Sequence, residues 1–241
     1  KFSAVAQTAW RWSGLAAIQG IKVLDERLKK EGCEKVSAEF QHILQSLQNA
    51  PKEFLLVAEN EQEKHLTDQL GHIWKTGSSA SQSSQWQLAP VAESVKQFWQ
   101  TSTQVNFCAK AYPVGPSGHS DAPVCNVLAA FLRNGYLHKA VREQGGAYGG
   151  GAAYDSDSGG FRFYSYRDPR LQETLDDFDH SLDWLHNSEH SPRLLEEAIL
   201  GVIGRMDQPG SPAGDAKHYF HSQLHGRSRD YLKRLRERVL N

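Results

Sequence analysis

The double glycine Gly145-Gly146 separates a helical apolar pattern from a two-residue alternation, so the chain must pass from helix to sheet within a few residues. Upstream, Asp121-Ala122-Pro123 opens a long helix with apolar positions Val124, Val127, Leu128, Phe131 and Leu132 at helical spacing. Downstream, residues 147–154, 155–160 and 161–166 read as strand, turn and strand. Phe161 and Phe163 alternate with Arg162 and Tyr164, the pattern of a sheet with one buried face. Residues 104–112 read as a further strand, followed by loop from Pro113 to His119. Strands interspersed with long helices on one side predict an α+β sandwich rather than a helical bundle.

Two amphipathic helices follow the hairpin. Leu171, Leu175, Phe178, Leu182 and Leu185 line the first; Leu195, Ala198, Ile199, Val202 and Met206 line the second, with Ser191 as its cap and Pro192 in its first turn. Helical segments at 212–225 and 228–240 close the chain. Residues 1–75 read as helices plus one strand. Leu15, Ile18, Ile21, Leu24 and Leu28 form a stripe closed at Gly32, and Ser37 is placed to cap a helix striped by Phe40, Ile43, Leu44 and Leu47. Phe54-Leu55-Leu56-Val57, short and bounded by breakers, reads as a buried strand, and a polar helix follows over about 60–74. Residues 76–84 have no side chain large enough to anchor them, which makes them a linker. The domain division is placed at 76–88, between 1–75 and 89–241.

Bulk charge points to no partner: Lys and Arg total 27 against 28 for Asp and Glu, so general affinity for nucleic acid or an anionic membrane is not expected. No apolar run approaches the roughly 20 residues of a bilayer crossing. The start, Lys1-Phe2-Ser3, has neither an initiator methionine nor a signal-peptide core, so the chain is expected to begin within a longer polypeptide. Cys33, Cys108 and Cys125 are widely spaced and odd in number, which predicts buried free thiols in a reducing compartment rather than a disulfide framework.

The bend sits inside a longer pattern. Leu137-His138-Lys139-Ala140-Val141-Arg142-Glu143-Gln144-Gly145-Gly146-Ala147-Tyr148-Gly149 closely resembles the Arg-x5-Tyr signature of pitrilysin/insulinase-type zinc metallopeptidases, in the form typical of their presequence-protease branch. The likeness continues through Phe163-Tyr164-Ser165-Tyr166-Arg167-Asp168-Pro169-Arg170 and at Leu195–Gly201, Asp207-Gln208-Pro209 and Ser211-Pro212. It covers most of residues 100–240 and, more faintly, the helical region before the linker.

The resemblance implies a pitrilysin-type fold, a mostly antiparallel sheet with helices packed on one face, preceded by the helical tail of a homologous domain. Residues 1–75 would then be the end of a third such domain and 89–241 a fourth. In that family two homologous halves close around an unfolded peptide. The amino-terminal half holds zinc through an inverted His-x-x-Glu-His helix and a distant Glu, so this carboxy-terminal chain would need that half as its partner and would be inactive alone. Arg142 would bind a substrate carbonyl or backbone group, and Tyr148 would donate its phenol to the oxyanion formed when zinc-activated water attacks.

The residue chemistry is compatible with those roles. Arg142 stands at a helix C-terminus, where a cation is favoured by about 0.3–1 kcal/mol, and its fork of donors suits a carbonyl. Gly145 and Gly146 let backbone turn tightly and approach a bound peptide without a side chain in the way. An oxyanion donor can lower a barrier by about 2.7–4 kcal/mol. The plainer alternative is a glycine helix cap with Arg142 solvated and Tyr148 half-buried in a sheet.

His186-Asn187-Ser188-Glu189-His190 also spells His-x-x-Glu-His. We read it as a coincidental match, because Asn187 and Ser188 are poor mid-helix residues and Ser191-Pro192 starts a new helix at once. The five residues then fall between helices, and the family's further glutamate would lie beyond Asn241. His186, Glu189 and His190 are therefore not expected to bind metal. His218, His221 and His225 are expected on one solvated helix face, and His138, one turn before Arg142, as a surface histidine near the pocket.

Three functions compete: a peptide-binding half of a zinc metallopeptidase that degrades short unfolded peptides in a closed chamber, a non-catalytic scaffold of the same fold, and a self-sufficient zinc hydrolase. The presence of both Arg142 and Tyr148 favours the first. The expected location is intracellular: the cytoplasm of a bacterium, or an organelle matrix in a eukaryote.

Overall fold

The protein is described by a computed structural model covering residues 4–74 and 94–241. These residues form two compact units, one of residues 4–7, 94–208 and 228–241, the other of residues 8–74 and 209–227. The expected division at 76–88 lies outside the described residues. Residues 209–227 group with the amino-terminal helices, a return that a contiguous reading of 89–241 does not contain.

The unit that carries the double glycine is built on a three-stranded antiparallel sheet. Its strands are β1 (Asn106–Pro113), β2 (Gly149–Asp155) and β3 (Gly160–Asp168), with β3 in the centre. Register places Cys108, Lys110 and Tyr112 of β1 beside Ser165, Phe163 and Phe161 of β3, and these beside Gly150, Ala152 and Tyr154 of β2. This row is the inner face. Helix α5 (Ala122–Leu132), the π-helix that continues it (Arg133–Gln144) and α6 (Gln172–Asn187) supply its cover. Leu132, Leu137, Val141 and Phe178 join Cys108, Ala152, Phe161 and Phe163 in one core. Phe163 stacks on Phe178 with ring centres 5.7 Å apart. Lys110 reaches α6 from the same face, donating to Leu175 O at 2.9 Å and pairing with Asp179 at 2.6 Å.

The expected α+β architecture is therefore present, with helices on one face of an antiparallel sheet. The other face leaves Phe107, Ala109, Arg162 and Tyr166 exposed. Helices α7 (Pro192–Met206) and α9 (Arg229–Leu240) close a second core around Phe131, Ala198, Val202 and Val239. Partial burial alone pushes the Asp155 carboxyl up. The Ser158 hydroxyl and the amides of Asp157 and Ser158 outweigh that, hold it below its usual range and tighten the β2–β3 turn.

The π-helix is the main feature absent from the sequence reading, and it has a visible cause. Leu132, Leu137 and Val141 are all fully buried, at steps of five and four residues. At about 3.6 residues per turn, a five-residue step swings a side chain roughly 140° off its stripe. At roughly 4.4 residues per turn, the two steps average to one turn, so the wider helix keeps all three over the sheet. Val124, expected on the apolar face of α5, is exposed, while Ala122 and Pro123 are buried.

Helix α1 (Ala4–Ser13) opens the described residues, and the second unit contains α2 (Leu15–Glu31), α3 (Glu34–Asn49), α4 (Asn60–Ile73) and α8 (Pro212–Leu224). Gly32 ends α2 where the stripe closes, with φ +78 and ψ 176, a positive-φ glycine conformation but not the left-handed helical one. Ser37 caps nothing: α3 starts at Glu34, and the Ser37 amide donates to Cys33 O inside the helix. The expected strand at 54–57 is irregular chain with Phe54, Leu55 and Val57 exposed. An apolar run becomes a strand only with a ladder partner, and every described strand belongs to the other unit. Of the three thiols only Cys108 is buried; Cys33 is exposed, against the expectation, and Cys125 is intermediate.

Because Phe178 is fully buried beneath Phe163, Phe178→Ala is expected to lower unfolding free energy by about 3–5 kcal/mol. A shifted denaturant midpoint at unchanged slope checks this. A loss below about 1 kcal/mol would mean that the sheet is not held by this contact.

Candidate functional site

The site grows out of the end of the π-helix. Gly146 N donates to Arg142 O at 3.0 Å and Ala147 N to Val141 O at 3.2 Å, which closes the last turn. Gly146 has φ +79, the left-handed conformation that favours glycine. Gly145 has an ordinary helical φ and is glycine for a different reason: it is buried, and a Cβ there would stand 1.8 Å from Arg170 Nη2. Two residues on, Tyr148 N donates to Arg167 O at 3.3 Å and delivers the chain to β2.

Tyr148 is 63% exposed, so its phenol is open to a ligand. Its ring is steered by two neighbours. Tyr166 lies 5.4 Å away at a tilt of 60°, and the Arg167 guanidinium carbon sits 5.7 Å from the ring centre. Arg167 is the one non-glycine residue of positive φ among the described residues, at +48°, a conformation that costs about 1–3 kcal/mol and clusters at binding sites.

Arg142 is exposed, and its Nη1 lies 3.3 Å from His138 Nε2, whose Nδ1 lies 3.2 Å from Glu143 Oε1. With Nδ1–H donated to Glu143, Nε2 is left to accept from Arg142. The π register makes this three-residue chain possible. In an α-helix Glu143, five residues after His138, would point about 140° away; the wider turn brings residues four and five positions on to either side of His138. His138 is thus half-buried and engaged with Arg142 rather than a free surface histidine.

The structure brings Arg142, Gly145, Gly146 and Tyr148 onto one bend and leaves the charged and phenolic groups exposed. Glu143, Tyr166, Arg167 and Arg170 belong to the same neighbourhood and carried no role in the sequence reading. Tyr166-Arg167 lies within the quoted motif, and the alternation of β3 already put Tyr166 on the open face.

Elsewhere, α6 ends at Asn187 and Ser188 is extended, so His186 and His190 do not share a helical face. His190 turns inward: Nε2 lies 2.9 Å from Leu185 O, and the ring packs 4.4 Å from Trp184 and 5.3 Å from Phe131. Among the described residues no three His, Cys, Asp or Glu side chains converge as metal ligands. His218 and His221 lie exposed on α8, with His225 just past its end. No described helix is long and apolar enough to cross a membrane.

These placements separate the two histidines energetically. His190→Ala is expected to cost about 1–3 kcal/mol of stability through lost ring packing and a freed carbonyl, and His186→Ala no more than about 0.5 kcal/mol. Denaturant unfolding reads both; equal losses that grow on adding zinc would reveal a shared metal.

Comparison with known proteins bears on the same region. A family model described as the PreP C-terminal domain matches residues 96–241. The mitochondrial presequence protease of Xenopus laevis is 31% identical over 210 residues, 86% of this chain and 20% of that protein. Its Drosophila melanogaster counterpart is 40% identical over 139 residues, 57% of this chain and 13% of that protein. The chain thus spans a fifth or less of the length of these relatives. A solved peptidase M16 inactive domain from Pseudomonas fluorescens aligns over 76% of this chain and 45% of its own at 13% identity and TM-score 0.49, too distant to add to the reading.

Proposed function

The chain belongs to the PreP C-terminal domain family, the carboxy-terminal part of pitrilysin-type presequence proteases, and from that premise we propose that it is the substrate-gripping wall of a chamber in which short unfolded peptides are cut. One observation carries the reading: Arg142 and Tyr148, both exposed, flank a bend whose buried floor and left-handed glycine fix the path between them.

The work of each residue follows from its chemistry. The Arg142 guanidinium, with one donor turned to His138, keeps its remaining donors for a substrate carbonyl. The Tyr148 hydroxyl donates to the oxygen that gains negative charge when water adds to the scissile carbonyl; its ring, held between Tyr166 and Arg167, needs little reorganisation to do so. Exposed Gly146 lets a peptide backbone pass close to the bend, while Gly145 makes room beneath it.

Zinc does not fit this chain's His186, Glu189 and His190, because His190 is committed to Leu185 O and the Trp184 ring. We assign the metal to an amino-terminal half of the same polypeptide, the partner this reading requires, with 1–75 and 89–241 as parts of its third and fourth homologous domains. The proposed compartment is intracellular, an organelle matrix in a eukaryote or the cytoplasm in a bacterium.

In the full-length enzyme Tyr148→Phe is expected to lower kcat by about 10²–10³-fold with zinc content unchanged. Arg142→Ala is expected to lower kcat/KM by at least about tenfold. Steady-state kinetics on a short unstructured peptide, with metal analysis alongside, check both. Undiminished turnover in both variants would remove the pair from the mechanism and favour the scaffold reading.

A further inference from the structure

The bend carrying Arg142 and Tyr148 rests on a second piece of chain. Residues Asp168, Pro169 and Arg170, at the exit of β3, lie beneath it. A Cβ on Gly145 would meet Arg170 Nη2, and a Cβ on Gly146 would stand 3.5 Å from Pro169 Cγ, so both glycines pack on this loop. The loop is anchored in turn. Fully buried Asp168 accepts Arg170 N on Oδ1 at 2.9 Å and Thr174 Oγ1 on Oδ2 at 2.8 Å, and Thr174 is itself fully buried.

From that anchor the Arg170 side chain reaches the end of the π-helix. Nη2 donates to Ala140 O at 3.2 Å and to Asp177 Oδ2 on α6 at 2.8 Å. Its Nε is buried without a partner among the described residues, so the anchoring falls to Nη2. The carbonyls in a helix's last turn need partners from outside the helix. Within the bend, Ala147 N serves Val141 O and Gly146 N serves Arg142 O. Ala140 O, one residue earlier, takes its external donor from Arg170.

We propose that Arg170 is a positioning residue for the substrate-facing pair: it ties the final turn of the π-helix to α6 and to the buried Asp168 anchor, and so sets where Arg142 and Tyr148 stand relative to each other. The proposal rests on the reading of Arg142 and Tyr148 as substrate contacts. Its leverage comes from geometry, since a displacement of about 1 Å at a reacting group can cost on the order of 10²-fold in rate. The carbonyl it holds, Ala140 O, lies two residues before Arg142 in sequence, whereas the Arg170 guanidinium lies under the bend and touches no substrate in this scheme.

The test uses the full-length enzyme. Arg170→Met keeps most of the side chain's stem and removes its donors; Arg170→Lys keeps a donor nitrogen. The methionine variant is expected to lose about tenfold in kcat with KM changed by less than about twofold, and the lysine variant to recover most of the loss. Backbone amides of residues 142–148 are expected to exchange about tenfold faster in the methionine variant, with those of α7 unchanged. In a Tyr148→Phe background Arg170→Met is expected to cost less than about twofold in kcat, because of the two groups it positions the one that acts on kcat is already gone. Should the methionine variant not fold, Asp177→Asn, which loosens the same nitrogen, is expected to move exchange and kcat in the same direction by a smaller factor.

Unchanged exchange at 142–148 would overturn the lock whatever the kinetics. Losses that multiply in full with Tyr148→Phe would overturn the positioning role. Full activity of both Tyr148→Phe and Arg142→Ala would instead bring down the underlying reading of the site and with it any catalytic consequence of Arg170, while faster exchange would still uphold the mechanical tie.

Discussion

Three buried side chains, Leu132, Leu137 and Val141, must all face the sheet although they are spaced by five and four residues. Burying a leucine or valine is worth about 1.5–3 kcal/mol each, an amount the wider helix keeps by holding Leu137 in the core. The helix therefore widens. That adjustment reaches the surface, because the register that holds Leu137 and Val141 inward also lines up His138 with both Arg142 and Glu143. Core packing on one side of the helix thereby sets side-chain geometry on the other.

The same helix must then end without leaving its carbonyls unpaired over the sheet. The bend supplies some partners and the Asp168–Thr174 pair supports the loop that supplies another. Leaving a buried polar group unsatisfied costs about 1–3 kcal/mol, so Asp168, with both carboxyl oxygens bonded, holds the loop far more firmly than the exposed ion pairs of the chain hold theirs. The Asp207–Arg236 pair between the end of α7 and α9 is of the weaker kind: the contact shifts the two pKa values apart, but solvent screens it.

Much of this was legible in the residues. The alternation of Phe161 and Phe163 with Arg162 and Tyr164 identified β3 and its buried face, and the run from Arg142 to Tyr148 marked the bend and the two groups it presents. The π register was legible too, in the spacing of Leu132, Leu137 and Val141, but a reading confined to the three- and four-residue steps of an α-helix stops at Leu132. Phe54–Val57 failed for the opposite reason: its local pattern suits a strand, and a strand is a property of two segments. Arg170 was hidden because its role is a contact with Ala140 thirty positions back, which no local pattern encodes. The two glycines looked equivalent in the sequence. In the fold Gly146 is needed for its backbone angle and Gly145 for the absence of a side chain.

The exposure of Tyr148 bears directly on what the site can do by itself. In water a neutral hydrogen bond contributes a net 0.5–1.5 kcal/mol or so, because the phenol and its acceptor each give up solvent to form it. An oxyanion donor worth about 2.7–4 kcal/mol works in a site from which water has been excluded. At 63% exposure, Tyr148 lies in the first regime. The step to the second requires a surface that covers the open face around Tyr148, Tyr166 and Arg167 when a peptide is bound. The aromatic and guanidinium neighbours already fix the ring before that happens, so closure has to remove solvent but does not have to build the site. That division of labour, with orientation from the fold and dryness from a covering surface, is why, under the function proposed above, a chain carrying both Arg142 and Tyr148 is expected to be silent until such a surface closes over them.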